Sequence, residues 1–142
     1  MKTMSWPFNA YMSVLSALYV GGFERVYVHG NIHPSGEWWD RLKDENVTFV
    51  EMDAVETVFQ QGVASPAHNS DIIRTLVLLK HGGVYQDWDV IWTNPVPRAL
   101  RRYPAVLSTD WPRYGDFPGA FNLGVLMAKP KAQFLRHFVD SF

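Results

Sequence analysis

The chain has 142 residues, which is enough for one compact domain with a hydrophobic core. Hydrophobic residues make up 47% and charged residues 19%, a balance that is too apolar for an intrinsically disordered chain. The formal net charge is -1 without a basic block, which gives no support to nucleic-acid binding, and the lack of cysteine excludes disulfides and thiolate metal sites. No apolar run approaches the roughly 20 residues of a membrane span. We therefore expect residues 1–142 to form a single domain without a membrane span.

Helix and strand patterns alternate along the first half of the chain. In chain order we predict a helix over Pro7–Val20, a strand over Arg25–His29, a helix over Ser35–Lys43 and a strand over Val47–Glu51. Gly21 and Gly22 are expected to end the first helix, and Ser35 is a plausible N-cap for the second. The pattern over Asp53–Ser65 is ambiguous and favours a loop.

The second half continues the alternation around one strongly apolar helix, Asn69–His81, which we expect to be largely buried, capped by Asn69 or Ser70 and ended by Gly82. The other predicted elements are strands over Val84–Tyr85 and Val90–Trp92, a short helix over Pro95–Tyr103, strands over Ala105–Thr109 and Leu123–Ala128, and a helix over Lys131–Phe142. This order predicts an α/β fold with a mostly parallel sheet flanked by helices. Because the pattern opens with a helix and stops inside one, we expect a fragment that lacks its first strand and C-terminal part.

Two carboxylates, Asp87 and Asp89, stand one residue apart just after the Val84–Tyr85 strand. In an extended segment they would face the same side while Trp88 faces the other, and their mutual repulsion favours a divalent cation between them. Carboxylate, phosphate and water oxygens suit Mg2+ or Mn2+, which can bridge a diphosphate. The alternative is a solvated acidic turn, since this spacing is common by chance.

Asp71 and Arg74 are three residues apart on the apolar helix and therefore share one of its faces. Because the rest of the helix is apolar, we expect the pair to face a cleft, where a carboxylate and a guanidinium can bind sugar hydroxyls together. The alternative is an ion pair that complements the helix dipole. Gly82 and Gly83 can be a cap and a turn, or a place where a ligand approaches the backbone closely.

The segment SDIIRTLVLLKHGGVYQDWDV, residues 70–90, resembles the glycosyltransferase sugar-binding region that contains the DxD motif. This family includes yeast initiating mannosyltransferases, animal lactosylceramide galactosyltransferases and, more distantly, the glucosylating clostridial toxins. The shared pattern is Ser-Asp, two residues, Arg, a leucine-rich turn, Gly-Gly, a β-branched residue, Tyr, one residue and Asp-x-Asp. The flanking segments PSGEWWDRL and FNLGVLMAKPKAQFL resemble the family more loosely.

The resemblance implies a GT-A-like donor-site domain that uses a nucleotide-diphosphate sugar and Mn2+ or Mg2+ and retains the anomeric configuration. It implies direct metal binding by Asp89, and contacts of Asp87 with the ribose and the metal. Asp71 and Arg74 would hold the donor sugar, and Asn122 would lie near the reacting carbon; a turn residue before a strand is the alternative for Asn122. The positions carried over are, as catalytic residues, Asp71, Arg74 and Asn122; as donor-binding residues, Asp71, Arg74, Gly83, Tyr85 and Asp87; and, as metal ligands, Asp87 and Asp89.

The expected function is therefore transfer of a sugar to an acceptor hydroxyl on a glycan, lipid or protein, with weak or no activity in a fragment. One alternative is a non-catalytic sugar-nucleotide-binding fragment. The other is a phosphotransferase in which Asp87 attacks phosphorus and Asp89 acts as acid and base; the mid-chain position of the motif and the lack of a later acidic pair disfavour it. The sequence leaves the compartment open: we expect the Golgi lumen if the chain is eukaryotic and part of a longer protein, and the cytoplasm otherwise.

Overall fold

The computed structural model describes residues 3–53, 57–58, 61–62, 66–111, 113, 115–116 and 119–141, with side chains for all of these except 57–58, 61–62 and 66–68. It is an α/β structure, which confirms the predicted class. The chain divides into two compact units. Unit 1 is Met1–Ala54 with Trp88–Pro97, and unit 2 is Val55–Asp87 with Arg98–Phe142. The single domain expected over residues 1–142 stays a prediction.

Unit 1 contains two pairs of parallel strands and two helices. Its elements are β1 (Thr3–Ser5), α1 (Phe8–Ser16), a π-helical turn (Ala17–Gly21), β2 (Val26–Gly30), β3 (His33–Ser35), α2 (Glu37–Asp40) and β4 (Val47–Glu51). Strand β1 pairs with β3, and β2 pairs with β4. The core of the unit consists of Trp6, Ala10, Val14 and Leu42, against which the partly buried rings of Trp38 and Trp39 pack.

Most predicted elements of unit 1 are present, and the differences have physical causes. Strand β4 has the predicted bounds, and the first helix ends where the left-handed Gly22 (φ 77°) donates its N–H to the Ala17 carbonyl. We expected the chain to open with this helix, but the strand β1 precedes it. Ser35 is also not an N-cap: it lies in β3, where its carbonyl accepts from the Trp6 N–H at 2.9 Å. Pairing with β1, which is remote in sequence, outweighs the local capping preference.

Unit 2 contains an antiparallel sheet covered by helices. Its elements are β5 (Thr57–Val58), β6 (Gln61–Gly62), α3 (Pro66–His81), β7 (Gly83–Gln86), a 3-10 helix (Arg98–Arg102), β8 (Ala105–Trp111), β9 (Ala120–Ala128) and α4 (Gln133–Val139). The sheet order is β7-β9-β8. Leu78, Leu126, Ala132 and Leu135 form its buried core. Parallel pairing thus occurs in unit 1, whereas the larger described sheet is antiparallel. The expected loop over Asp53–Ser65 lies largely outside the described residues.

Helix α3 begins earlier and is less uniformly buried than its sequence predicts. It starts at Pro66, so Asn69 and Ser70 lie inside the helix and are not its caps. Leu76 is exposed, whereas Arg74 and Thr75 are buried. The predicted end is confirmed: Gly82, at φ 67°, donates its N–H to the Leu78 carbonyl at 2.8 Å.

Strand β9 contains an irregularity that bears on the site. Its pairing with β8 changes from Leu126 opposite Leu107 to Asn122 opposite Ser108, so β9 advances four residues where β8 advances one. Extra residues of this kind form a β-bulge, which redirects backbone groups away from the ladder. Leu123 and Gly124 lie inside this bulge.

The strand predicted over Val90–Trp92 is absent, since these described residues have no strand pairing. No described helix is long and apolar enough to cross a membrane.

Candidate functional site

Asp87 follows the last residue of β7 and is held by both its backbone and its side chain. Its N–H donates to the Gly124 carbonyl at 2.8 Å, which extends the β7-β9 pairing by one residue. Its Oδ1 accepts a hydrogen bond from the Tyr85 hydroxyl at 2.6 Å. The side chain remains 36% exposed, so the carboxylate has a fixed orientation and still reaches solvent.

Of the α3 side chains that the structure describes, that of Arg74 is the only buried cation, and it lies between two carboxylates. Its side chain is 8% exposed, and its Nη2 lies 3.3 Å from Asp71 Oδ1 and 3.5 Å from Asp87 Oδ1. The three side chains together carry one negative charge. The predicted pairing of Asp71 with Arg74 is therefore present, and Asp87 joins it from β7.

Each nitrogen of the Arg74 guanidinium also donates a hydrogen bond to a group of the protein. Nη1 donates to the Leu123 carbonyl in the β9 bulge at 2.6 Å, Nε to the Ser70 carbonyl at 3.2 Å, and Nη2 to Ser70 Oγ at 2.9 Å. The guanidinium also lies 4.2 Å from the centre of the Tyr85 ring, a cation-π arrangement. Arg74 thus connects α3, β7 and β9 through one side chain.

Tyr85 carries the hydroxyl that orients Asp87. Burial, followed by the hydrogen bond to Asp87, raises the pKa of Tyr85 to about 12. A tyrosine with this pKa keeps its proton at neutral pH, so its hydroxyl donates to the carboxylate throughout the physiological range. Ser70 Oγ lies 3.4 Å from the same hydroxyl oxygen.

Asn122 is linked to Asp87 by two hydrogen bonds through the backbone of Gly124. The Gly124 N–H donates to Asn122 Oδ1 at 2.7 Å, and the Gly124 carbonyl accepts from the Asp87 N–H. Asn122 Nδ2 lies 3.4 Å from Asp110 Oδ1. The exposed Asn122 amide is therefore oriented by the same bulge that holds Asp87.

The second aspartate of the motif has a different backbone setting from the one that we predicted. Strand β7 ends at Gln86, and Trp88 and Asp89 lie in a turn, so the extended geometry assumed through Asp89 is wrong. Asp89 is exposed and belongs to unit 1, whereas Asp87 belongs to unit 2. Their joint binding of a metal stays a prediction.

The donor chemistry around the motif suits a hard cation. No cluster of three or more histidine, aspartate or glutamate side chains is placed to hold a metal within the described ranges. Mg2+ and ions like it are often held by only one or two carboxylates, with substrate phosphates and water completing the shell. The Asp87 carboxylate, which is held in orientation and reaches solvent, is an oxygen ligand of that kind.

The structure brings together four of the predicted positions, Asp71, Arg74, Tyr85 and Asp87, and connects Asn122 to them through Gly124. Gly83 takes no part in this network: it is exposed, and its backbone has a positive φ angle of 111°. Sequence reasoning missed the Leu123 carbonyl and Gly124. A glycine inside a predicted strand is a recognised sign of a bulge and could have indicated both.

The chain is similar to two known proteins and matches one family profile. The fold is similar to a solved structure titled "PaToxG Glycosyltransferase", with a TM-score of 0.58 and 17% identity, covering 98% of this chain and 55% of that one. The chain is 27% identical over 140 residues to "Glucan organizing enzyme 1" of Cryptococcus neoformans var. grubii, covering 96% of this chain and 38% of the relative. The chain thus spans less than two thirds of either relative.

The family profile "Glycosyltransferase sugar-binding region containing DXD motif" matches residues 27–107, more than half of the chain. The chain therefore belongs to this family, which confirms the resemblance drawn from residues 70–90. The match covers Asp71, Arg74, Tyr85 and Asp87, and it ends before Asn122.

Proposed function

We propose that this chain provides the donor-binding part of a metal-dependent, retaining glycosyltransferase, which transfers a sugar from a nucleotide-diphosphate sugar to an acceptor hydroxyl. The observation that carries the proposal is the fixed carboxylate of Asp87. It is oriented by Tyr85 and Arg74 within the segment that matches the family, and it remains open to solvent. A purely structural aspartate does not need to be both held and accessible.

The charges at this position favour a cation. The single positive charge of Arg74 is shared between Asp71 and Asp87, which leaves one excess negative charge in the network. Asp87 and Asp89 are the residues that would hold Mn2+ or Mg2+. When bound, such an ion neutralises charge on the diphosphate as the nucleotide departs.

The donor sugar would meet Asp71, whose carboxylate is 30% exposed and can accept hydrogen bonds from sugar hydroxyls. Arg74 would act by holding Asp71 and Asp87 in place, because each of its guanidinium nitrogens already binds a group of the protein. Asn122 would lie beside the reacting carbon, and a hydroxyl of a glycan, lipid or protein would be the acceptor.

The test is binding of UDP, GDP and their glucose, galactose and mannose conjugates, measured by titration calorimetry with and without Mn2+. We expect binding that requires Mn2+ and is lost in Asp89→Asn. Asp44→Asn is the matched control, because Asp44 is another exposed carboxylate of unit 1. Equal Mn2+-dependent binding by Asp89→Asn and wild type would contradict the assigned role of Asp89.

Turnover separates the transferase from the binding-fragment alternative. Release of nucleoside diphosphate from a bound nucleotide sugar, in the presence of Mn2+, supports a catalytic chain. Tight binding without release over long incubation would indicate a non-catalytic binding module.

A further inference from the structure

The bulge in β9 directs two consecutive carbonyl groups to the site. The Leu123 carbonyl accepts from Arg74 Nη1, and the Gly124 carbonyl accepts from the Asp87 N–H. Neither of these two residues pairs with β8, because the register passes from Leu126 to Asn122. Of the two carbonyls that leave the β8 pairing, that of Leu123 thus binds the arginine, and that of Gly124 continues the β7 pairing to the first aspartate of the motif.

Gly124 lies between the two polar side chains that this bulge orients. A Cβ atom built at Gly124 would lie 2.8 Å from Asn122 Oδ1 and 3.0 Å from Asp87 Oδ2. Both distances are shorter than the contacts that carbon and oxygen normally make. The Asn122 oxygen is held there by the Gly124 N–H itself, at 2.7 Å.

We propose that Gly124 is a positioning residue for the donor site, which sets Asn122 and the carboxylate of Asp87 relative to each other through a position that has no room for a side chain. This inference rests on the proposed function. Because the two atoms in conflict are the ends of side chains, an added methyl group displaces the site and leaves the β9 backbone room to keep its path.

The first experiment needs no ligand and compares Gly124→Ala with Gly30→Ala by NMR of the full chain. Gly30 is a matched control, because a Cβ there meets its nearest neighbour at 3.5 Å, an ordinary contact. We expect Gly124→Ala to shift the backbone amide signal of Asp87 and the side-chain amide signals of Asn122. Gly30→Ala should leave both unchanged. Unchanged signals in Gly124→Ala would overturn the proposal.

The second experiment measures affinity for the nucleotide sugar of the calorimetric panel that wild type binds best, with Mn2+. We expect Gly124→Ala to weaken it about tenfold, which corresponds to about 1.4 kcal/mol. The melting midpoint should fall much less than in a core variant such as Leu126→Ala. Unchanged affinity together with shifted NMR signals would also overturn the proposal, because Gly124 would then act on the local structure alone.

A third variant covers the case in which Gly124→Ala does not fold. Asn122→Ala introduces no clash and removes the acceptor of the Gly124 N–H, so it should shift the Gly124 and Asp87 amide signals on its own. Removing Asn122 Oδ1 should also reduce the penalty of Gly124→Ala in the double variant, since coupled neighbours are non-additive. Failure of wild type to bind any nucleotide would refute the proposed function, while the NMR comparison would still decide the role of Gly124.

Discussion

Arg74 and Arg41 each pair with a carboxylate one turn earlier in the chain and lie over an aromatic ring, but only Arg74 is buried, so the two can be compared directly. Arg74 pairs with Asp71 at i,i-3 and lies over the Tyr85 ring at 4.2 Å; Arg41 pairs with Glu37 at i,i-4 and lies over the Trp38 ring at 5.3 Å. The side chain of Arg74 is 8% exposed and that of Arg41 is 57% exposed. Replacing each by methionine keeps most of the aliphatic length and removes the charge.

The expected costs differ because burial differs. Arg74→Met leaves the Leu123 carbonyl without its donor, which costs about 1–3 kcal/mol for a buried group. It also leaves two carboxylates without their cation; removing one member of a fully buried pair costs about 3–5 kcal/mol. Because Asp71 and Asp87 reach water, this second cost is reduced, and we expect about 2–4 kcal/mol in total. Arg41→Met breaks an exposed pair and should cost less than about 1 kcal/mol.

The measurement is the free energy of unfolding from urea denaturation of both variants and wild type. Arg74→Lys is a further variant, which keeps the charge but cannot reproduce the planar set of donors, and should fall between wild type and Arg74→Met. Equal costs for Arg74→Met and Arg41→Met, within about 0.5 kcal/mol, would refute the reasoning. In that case the contacts of Arg74 stabilise the fold no more than those of the exposed Arg41 do.

Two further predictions concern Asp71 and Tyr85, which contact Arg74. Asp71→Asn should weaken binding of the nucleotide sugar much more than binding of the bare nucleoside diphosphate, because it removes a charge-assisted hydrogen bond worth about 1.5–3 kcal/mol. Replacing the exposed Asp40 by asparagine should change the affinity for neither ligand. Equal weakening of both ligands would show that Asp71 serves the diphosphate or the fold. Tyr85 ionises near 10 when unfolded and has a pKa of about 12 when folded, so its contribution to stability is complete below pH 10 and declines as pH rises toward 12. Tyr85→Phe should therefore show a shallower alkaline loss of unfolding free energy than wild type or the exposed Tyr27→Phe, and identical slopes would contradict the raised pKa.

Local signals in the sequence located those features that depend on neighbouring residues. The end of α3 at Gly82 and the bounds of β4 follow from a glycine stop and from a run of β-branched and aromatic residues. Ser35 shows the limit of this reasoning, because its preference for a helix cap is outweighed by pairing with β1, some 30 residues away.

The candidate site depends on contacts that a linear pattern does not contain. Arg74 meets the Leu123 carbonyl across 49 residues of sequence. The apolar face of α3 predicted a helix in the core, but it gave no sign that Arg74 would enter that core while Leu76 stayed outside. The extended geometry expected from Asp87 to Asp89 was wrong for a related reason: a pattern of three residues cannot distinguish an extended segment from a turn that follows a strand.

The adjacent glycines that end α3 and open β7 are required for opposite reasons. A Cβ at Gly82 would meet Pro130 Cδ at 2.5 Å and the Pro130 backbone nitrogen at 2.9 Å, so an ordinary side chain does not fit there. At Gly83 nothing lies within 4 Å, and only the backbone angle of φ 111° excludes ordinary residues. Alanine at position 82 is therefore excluded by packing as well as by its backbone angle of φ 67°, whereas at position 83 its cost is one of backbone conformation alone. Packing, therefore, separates two positions that look identical in the sequence.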